Sequence, residues 1–285
     1  MTIYLPKPIW NPTPTNLLIS TVTLLNLWQK NIGNKEGRCE LKKRYKILIV
    51  ACLVVVVALS GFVIWAETPS TPMAEAYEAL QSDSQVSVLQ GDWLVFEPKN
   101  NNYSTGFIFY PGGRVNYLAY APYARAIAAE GYLVVVVRMP LNFAFLGANA
   151  AGDVIAAYPN VSAWAIGGHS LGGSMAAQYA QDNPSKISGL VLLASYPASN
   201  IDLSKRDLSV LTIHGSNDGL VSVKEVVDSL GQLPSNTVRI EIAGGNHAQF
   251  GWYGEQSGDN TATISREQQQ NQTVTSTINF LANLK

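Results

Sequence analysis

Ser170 stands in Gly167-Gly168-His169-Ser170-Leu171-Gly172-Gly173, directly after the apolar run Ala163-Trp164-Ala165-Ile166 and directly before Ser174-Met175-Ala176-Ala177. A strand that turns sharply into a helix around a serine, with glycines where side chains would collide, is the pattern of a nucleophile elbow. The serine takes a strained backbone conformation, and the glycines let neighbouring backbone pass without a Cβ clash. Its hydroxyl is left at a helix N-terminus, where amide donors favour developing negative charge. In a chain with 23 glycines among 285 residues such a spacing can also arise by chance. Its partners therefore decide its weight.

A serine that attacks an acyl carbon needs a base, and the base needs an orienting carboxylate. After an elbow of this kind the acid comes next along the chain and the histidine last. Of His169, His214 and His247, the first lies inside the elbow and the second precedes any suitable acid, which leaves His247. It sits in Gly244-Gly245-Asn246-His247-Ala248-Gln249-Phe250, a glycine-rich loop after the alternating run Val238-Arg239-Ile240-Glu241-Ile242. The acid reads as Asp218, in the turn Gly215-Ser216-Asn217-Asp218-Gly219 that follows Val210-Leu211-Thr212-Ile213-His214. Asp202 and Asp207 precede that strand, and Asp228 falls in a helical stretch. His214, ending a buried strand beside the acid turn, reads as structural.

An oxyanion hole completes the chemistry. One donor is expected at the backbone N–H of Leu171, the residue after the nucleophile, and the other in a loop after an earlier strand. Gly106-Phe107-Ile108-Phe109-Tyr110-Pro111-Gly112-Gly113-Arg114 supplies that strand and loop, with Gly113 as the expected donor and Arg114 as its neighbouring alternative.

These loops must be carried by a sheet. Apolar runs at 93–97, 106–110, 132–138, 163–167, 189–195, 210–214 and 238–242 read as strands, and 120–130, 148–158, 171–181 and 223–230 carry apolar residues at helical spacing. Leu133-Val134-Val135-Val136-Val137 is apolar on both faces, as a central strand covered by helices should be. Residues 85–98 read as an antiparallel hairpin turning at Gln90-Gly91-Asp92. The expectation is an α/β protein with a mostly parallel, doubly wound sheet, helices on both faces, and the site at the carboxyl ends of the strands.

From about residue 74 to the end the chain resembles the α/β-hydrolase superfamily, specifically the compact bacterial group near the dienelactone-hydrolase-like enzymes. The resemblance rests on Tyr110-Pro111-Gly112-Gly113-Arg114-Val115, the elbow, the turn 215–220 and Gly244-Gly245-Asn246-His247-Ala248-Gln249-Phe250-Gly251. It implies Ser170 as nucleophile, Asp218 as acid and His247 as base, with no metal and no organic cofactor. Two departures matter. Pro111-Gly112 stands where many lipases and esterases have His-Gly. Dienelactone hydrolases use a cysteine nucleophile, so the serine argues against carrying over their substrate.

Only about fourteen residues, 196–209, separate two of the expected strands, less than a helical lid usually needs. An open site for short or exposed acyl groups follows, shaped by Met139-Pro140-Leu141-Asn142-Phe143-Ala144-Phe145 and Phe250-Gly251-Trp252-Tyr253. Arg266 reads as a solvated charge, with carboxylate binding as the alternative.

Residues 47–66 form an uncharged run of 20 residues rich in Val, Leu and Ile, the length of a bilayer span. Lys42, Lys43, Arg44 and Lys46 precede it and Glu67, Glu75 and Glu78 follow. The positive-inside rule then leaves the N-terminus in the cytoplasm and residues 74–285 outside, as one extracytoplasmic hydrolase domain on an uncleaved single-pass anchor. Residues 1–46 read as a cytoplasmic or artefactual leader. Leu17 to Trp28 is too short to span, Pro6, Pro8, Pro12 and Pro14 oppose regular structure, and Leu41-Lys42-Lys43-Arg44 would make a conventional start to a signal sequence. Cys39 and Cys52 lie before or within the span, so no disulfide is expected in the exported domain. A net charge of −1 without basic clusters beyond residue 46 gives no reason to expect nucleic acid. The expected partners are a small-molecule ester or acyl substrate and, through residues 47–66, the membrane. The leading reading is a serine hydrolase cleaving an ester or thioester through an acyl-enzyme. The alternatives are a peptidase or carbon–carbon bond hydrolase with the same triad, or a non-catalytic surface binding module on a hydrolase scaffold.

Overall fold

The computed structural model describes residues 35–100 and 103–284, and its chain divides into two compact units, 1–62 and 63–285. The Leu17 to Trp28 stretch and its preceding prolines lie outside the described residues. Helix α1 (Lys35–Ala66) starts before the expected span of 47–66, taking in residues 35–46 at the end of the leader. Its segment Lys42–Ala66, 25 residues long, covers about 37 Å at 1.5 Å per residue, enough for a hydrocarbon core of about 30 Å. Every residue from Lys42 to Trp65 is exposed, although half of them are Val, Leu and Ile. The last turn of α1, from Val63, belongs to the second unit.

The second unit is built on an eight-stranded sheet. Helix α2 (Ala74–Glu78) leads into β1 (Val86–Gln90) and β2 (Trp93–Pro98), the antiparallel hairpin anticipated from Gln90-Gly91-Asp92. There follow β3 (Thr105–Tyr110), α3 (Ala121–Ala129), β4 (Leu133–Val137), α4 (Ala150–Ala157), β5 (Ala163–His169) and α5 (Leu171–Asp182). Then come β6 (Gly189–Leu193), β7 (Ser209–Gly215), α6 (Val223–Ser229), β8 (Val238–Ile242) and α7 (Arg266–Ala282). The strand order is β1-β2-β4-β3-β5-β6-β7-β8, parallel from β4 to β8.

Alternation along each strand divides the core between the two faces of this sheet. Phe107, Phe109, Val134, Val136, Leu211 and Ile213 pack on the side of α3 and α7, whereas Ile108, Tyr110, Val135, Val137 and Val210 pack on the side of α4 and α5. With both faces covered, strands such as β4 need an unbroken apolar run. β6 is shorter than expected, because Ala194 takes a positive φ of 44° and ends the pairing. No helix lies between β6 and β7, in keeping with the short connection. Helix α7 was not anticipated. Its buried face carries Gln269, Gln270, Thr273 and Thr277, which interrupt the apolar stripe that marks a helix in sequence.

β3 has β4 on one side and β5 on the other, so the connections leaving β3 and β5 diverge. This is the topological switch point of a doubly wound sheet, where a crevice opens at the strand ends. Gly113 follows β3 and Ser170 follows β5. The crevice therefore lies between the two loops the sequence marks out.

Candidate active site

Ser170 joins β5 to α5 with φ 52° and ψ −124°, a strained conformation for a residue with a side chain. The surroundings hold it there. Its amide donates to Leu193 O at 2.9 Å, and its carbonyl accepts from the Ser195 hydroxyl at 2.7 Å. A Cβ at Gly172 would stand 2.1 Å from Tyr110 O, and one at Gly168 would stand 2.4 Å from Gly172 C. Only glycine permits the turn to pack this closely against the end of β3.

Asp218 follows β7 and is buried. Its Oδ1 accepts the amides of Leu220 at 2.8 Å and Val221 at 2.7 Å, which aims Oδ2 at the Nδ1 of His247, 2.9 Å away. With Nδ1–H donated to the carboxylate, the unprotonated nitrogen is Nε2. This atom is buried and has no hydrogen-bond partner among the described residues, and no bond joins it to the Ser170 hydroxyl. Such bonds are often long without substrate and tighten in the Michaelis complex.

A network between β3 and β5 shapes the remaining wall. The Tyr120 hydroxyl accepts the Gly112 amide at 3.0 Å and shares a hydrogen bond with His169 Nδ1 at 2.8 Å. The His169 ring centroid lies 4.4 Å from that of His247. Burial, and secondarily the neighbouring His247, hold the His169 pKa well below 6.5. Burial alone pushes the Tyr120 phenol above its ordinary range.

The loop after β3 also separates the two oxyanion candidates. The Arg114 amide is taken by Asn142 O at 2.8 Å and the Gly112 amide by Tyr120. Among the described residues no acceptor takes the Gly113 or Leu171 amide. A Cβ at Gly113 would lie 3.3 Å from Leu171 Cδ2, so the two residues are neighbours.

A family model described as "Alpha/beta hydrolase family" matches residues 106–271, more than half of the chain. The chain belongs to the alpha/beta hydrolase family. Its sheet is also similar to two solved structures. A predicted CIB-like hydrolase from Thermoplasma acidophilum matches with a TM-score of 0.54 and 17% identity, over 70% of this chain and 98% of that one. Est1E from Butyrivibrio proteoclasticus matches with a TM-score of 0.51 and 15% identity, over 70% of this chain and 100% of that one. At these identities the likeness is one of fold. No curated protein matches the chain.

In this hydrolase several residues that support the histidine loop escaped the sequence reading. Arg266 is not a solvated charge. It donates to the carbonyls of Ala248 at 2.7 Å, Gly254 at 2.8 Å and Gly251, gripping the backbone after His247. Gln269 is fully buried and pairs with both backbone groups of Asn246, accepting its amide at 3.0 Å and donating to its carbonyl at 2.8 Å. Asp259 accepts the Ala248 amide at 2.8 Å through Oδ2 and the Gly219 amide at 3.0 Å through Oδ1, tying the histidine loop to the acid turn. No local motif announces these contacts, because each joins segments 11 to 40 residues apart. His214 keeps its structural reading. Arg239 donates to its Nε2 at 2.7 Å, and burial, then Arg239, lower its pKa, so it remains neutral.

Proposed function

We propose that the chain is a membrane-anchored serine hydrolase that cleaves an ester or thioester, with Ser170 as nucleophile, His247 as base and Asp218 as orienting acid. The observation that carries this reading is the buried Asp218–His247 bond at 2.9 Å, which leaves an unpartnered Nε2 on a ring 4.4 Å from that of His169, the residue before the strained Ser170. Ser170 Oγ attacks the acyl carbon as His247 Nε2 takes its proton. The amides of Leu171 and Gly113 hold the oxyanion, each donor being worth about a hundredfold to a thousandfold in rate. Collapse breaks the bond to the leaving group, which takes the proton from Nε2. Water, deprotonated by the same nitrogen, then attacks the acyl-enzyme and restores the serine. Asp218 stays ionised throughout. It fixes the tautomer and stabilises the imidazolium.

The anchor reading rests on Lys42–Ala66, an exposed apolar helix of spanning length, and on the cationic residues at its start. These favour an N-terminus in the cytoplasm and a catalytic unit outside. The test is a fluorophosphonate probe applied to the full-length protein in detergent. Labelling of the wild type but not of Ser170→Ala is expected, and an unlabelled wild type at neutral pH overturns the proposal. A panel of p-nitrophenyl esters against aminoacyl amides then separates esterase from peptidase chemistry.

A further inference from the structure

The loop that carries Gly113 is fastened to the end of the apolar helix. Arg114 stacks over the Trp65 ring at 4.0 Å and donates to Trp65 O at 3.2 Å and to Thr68 O at 2.9 Å. Its carbonyl accepts the Ser70 amide at 2.9 Å. From the neighbouring loop, Asn142 donates to Ala66 O at 2.9 Å. All these residues belong to the second unit, so chain continuity alone brings the bilayer surface to Trp65 if residues 42–66 span it.

An apolar strip leads from that point to the oxyanion loop. A Cβ at Gly113 would lie 3.3 Å from Leu171 Cδ2 and 3.8 Å from Phe143 Cδ1, so both side chains touch this position. The Phe143 ring lies 5.9 Å from that of Trp65 and 5.2 Å from that of Phe145. Trp65, Phe145 and Leu146 are 47%, 52% and 47% exposed, respectively. An indole at the water boundary of an apolar helix is the usual interfacial anchor.

We infer that this strip receives the hydrocarbon chain of a membrane-embedded acyl ester, so that the enzyme draws its substrate from the bilayer surface. The inference rests on the hydrolase and anchor readings above and narrows their substrate class. An open strip suits the short β6–β7 connection, because the chain lies along a surface without being enclosed by a lid.

The test uses full-length protein in phosphatidylcholine nanodiscs, with p-nitrophenyl acetate as the soluble ester and p-nitrophenyl dodecanoate as the membrane-embedded one. Wild type should prefer the dodecanoate by more than about tenfold in kcat/KM, and the double variant Phe145→Ser/Leu146→Ser should lower that ratio roughly tenfold. A wild type without the preference, or a double variant with the same ratio, overturns this inference and leaves the hydrolase reading standing, provided the acetate is cleaved and Ser170 takes the fluorophosphonate. If neither ester is cleaved and Ser170 is unlabelled, both readings fall together.

Discussion

Replacing Tyr120 by phenylalanine removes one oxygen and strands two buried groups. The Gly112 amide loses its acceptor at 3.0 Å and His169 Nδ1 loses its partner at 2.8 Å, at a place where Tyr120 and His169 are at most 1% exposed. Each unsatisfied buried group costs about 1–3 kcal/mol, so the variant should lose about 2–5 kcal/mol. For a domain of this size, at about 2–4 °C per kcal/mol, that is a fall in Tm of roughly 5–15 °C. A second effect falls on turnover. The Gly112 amide holds the peptide that precedes Gly113, and a loosened donor should lower kcat about tenfold, less than the loss of a whole donor. Thermal unfolding by circular dichroism and steady-state hydrolysis of a soluble ester measure both. A Tm within about 2 °C of wild type together with an unchanged kcat would refute the argument that this hydroxyl holds the loop and the ring.

Three further outcomes are expected. Asp218→Asn should keep the fold but lower kcat by about four orders of magnitude, because the amide turns the imidazole to the wrong tautomer; retention of most activity in stopped assays would remove Asp218 from the mechanism. Gln269→Leu leaves both backbone groups of Asn246 unpaired and should lower Tm and kcat together; a Tm within about 2 °C of wild type with unchanged kcat would exclude the paired bonds as a support of the loop. Burial lowers the pKa values of both His169 and His214 below 6.5, so under mild acid the unfolded chain binds protons that the native state does not. Stability should therefore rise with pH through this window and fall as the pH drops below 6.5, by up to about 1.4 kcal/mol per pH unit per histidine; a urea midpoint unchanged between pH 7.5 and 5.5 would contradict this.

What could be read from the chain was whatever local chemistry dictates. The unbroken apolar run of β4 and the hairpin turn before β2 follow from contacts within a few residues or from a strand covered on both faces, whereas the glycines around Ser170 were legible only as a motif, since Gly172 is required by the close approach of Tyr110 O from β3. The order serine, aspartate, histidine likewise singled out three residues, of which Asp218 and His247 are hydrogen-bonded beside the Ser170 turn. The unread parts depend on distant partners. The choice between Gly113 and Arg114 turns on the Asn142 carbonyl, 28 residues further on, which takes the Arg114 amide. The role of Arg266 depends on three carbonyls in a loop whose path no periodicity reveals. Helix α7 was hidden because its inward face bonds through Gln269, Gln270 and Thr277, side chains that read as solvent-facing until their partners are known.

The dependence of the histidine loop on α7 bears on how the protein is made. Residues 266–282 leave the ribosome after every strand of the sheet, so a nascent chain can assemble most of its scaffold while the loop around Asn246 still lacks Arg266 and Gln269. Competence to cleave bonds would arrive last, once the sheet is in place. A hydrolase assembled in this order stays inert until α7 docks against the histidine loop.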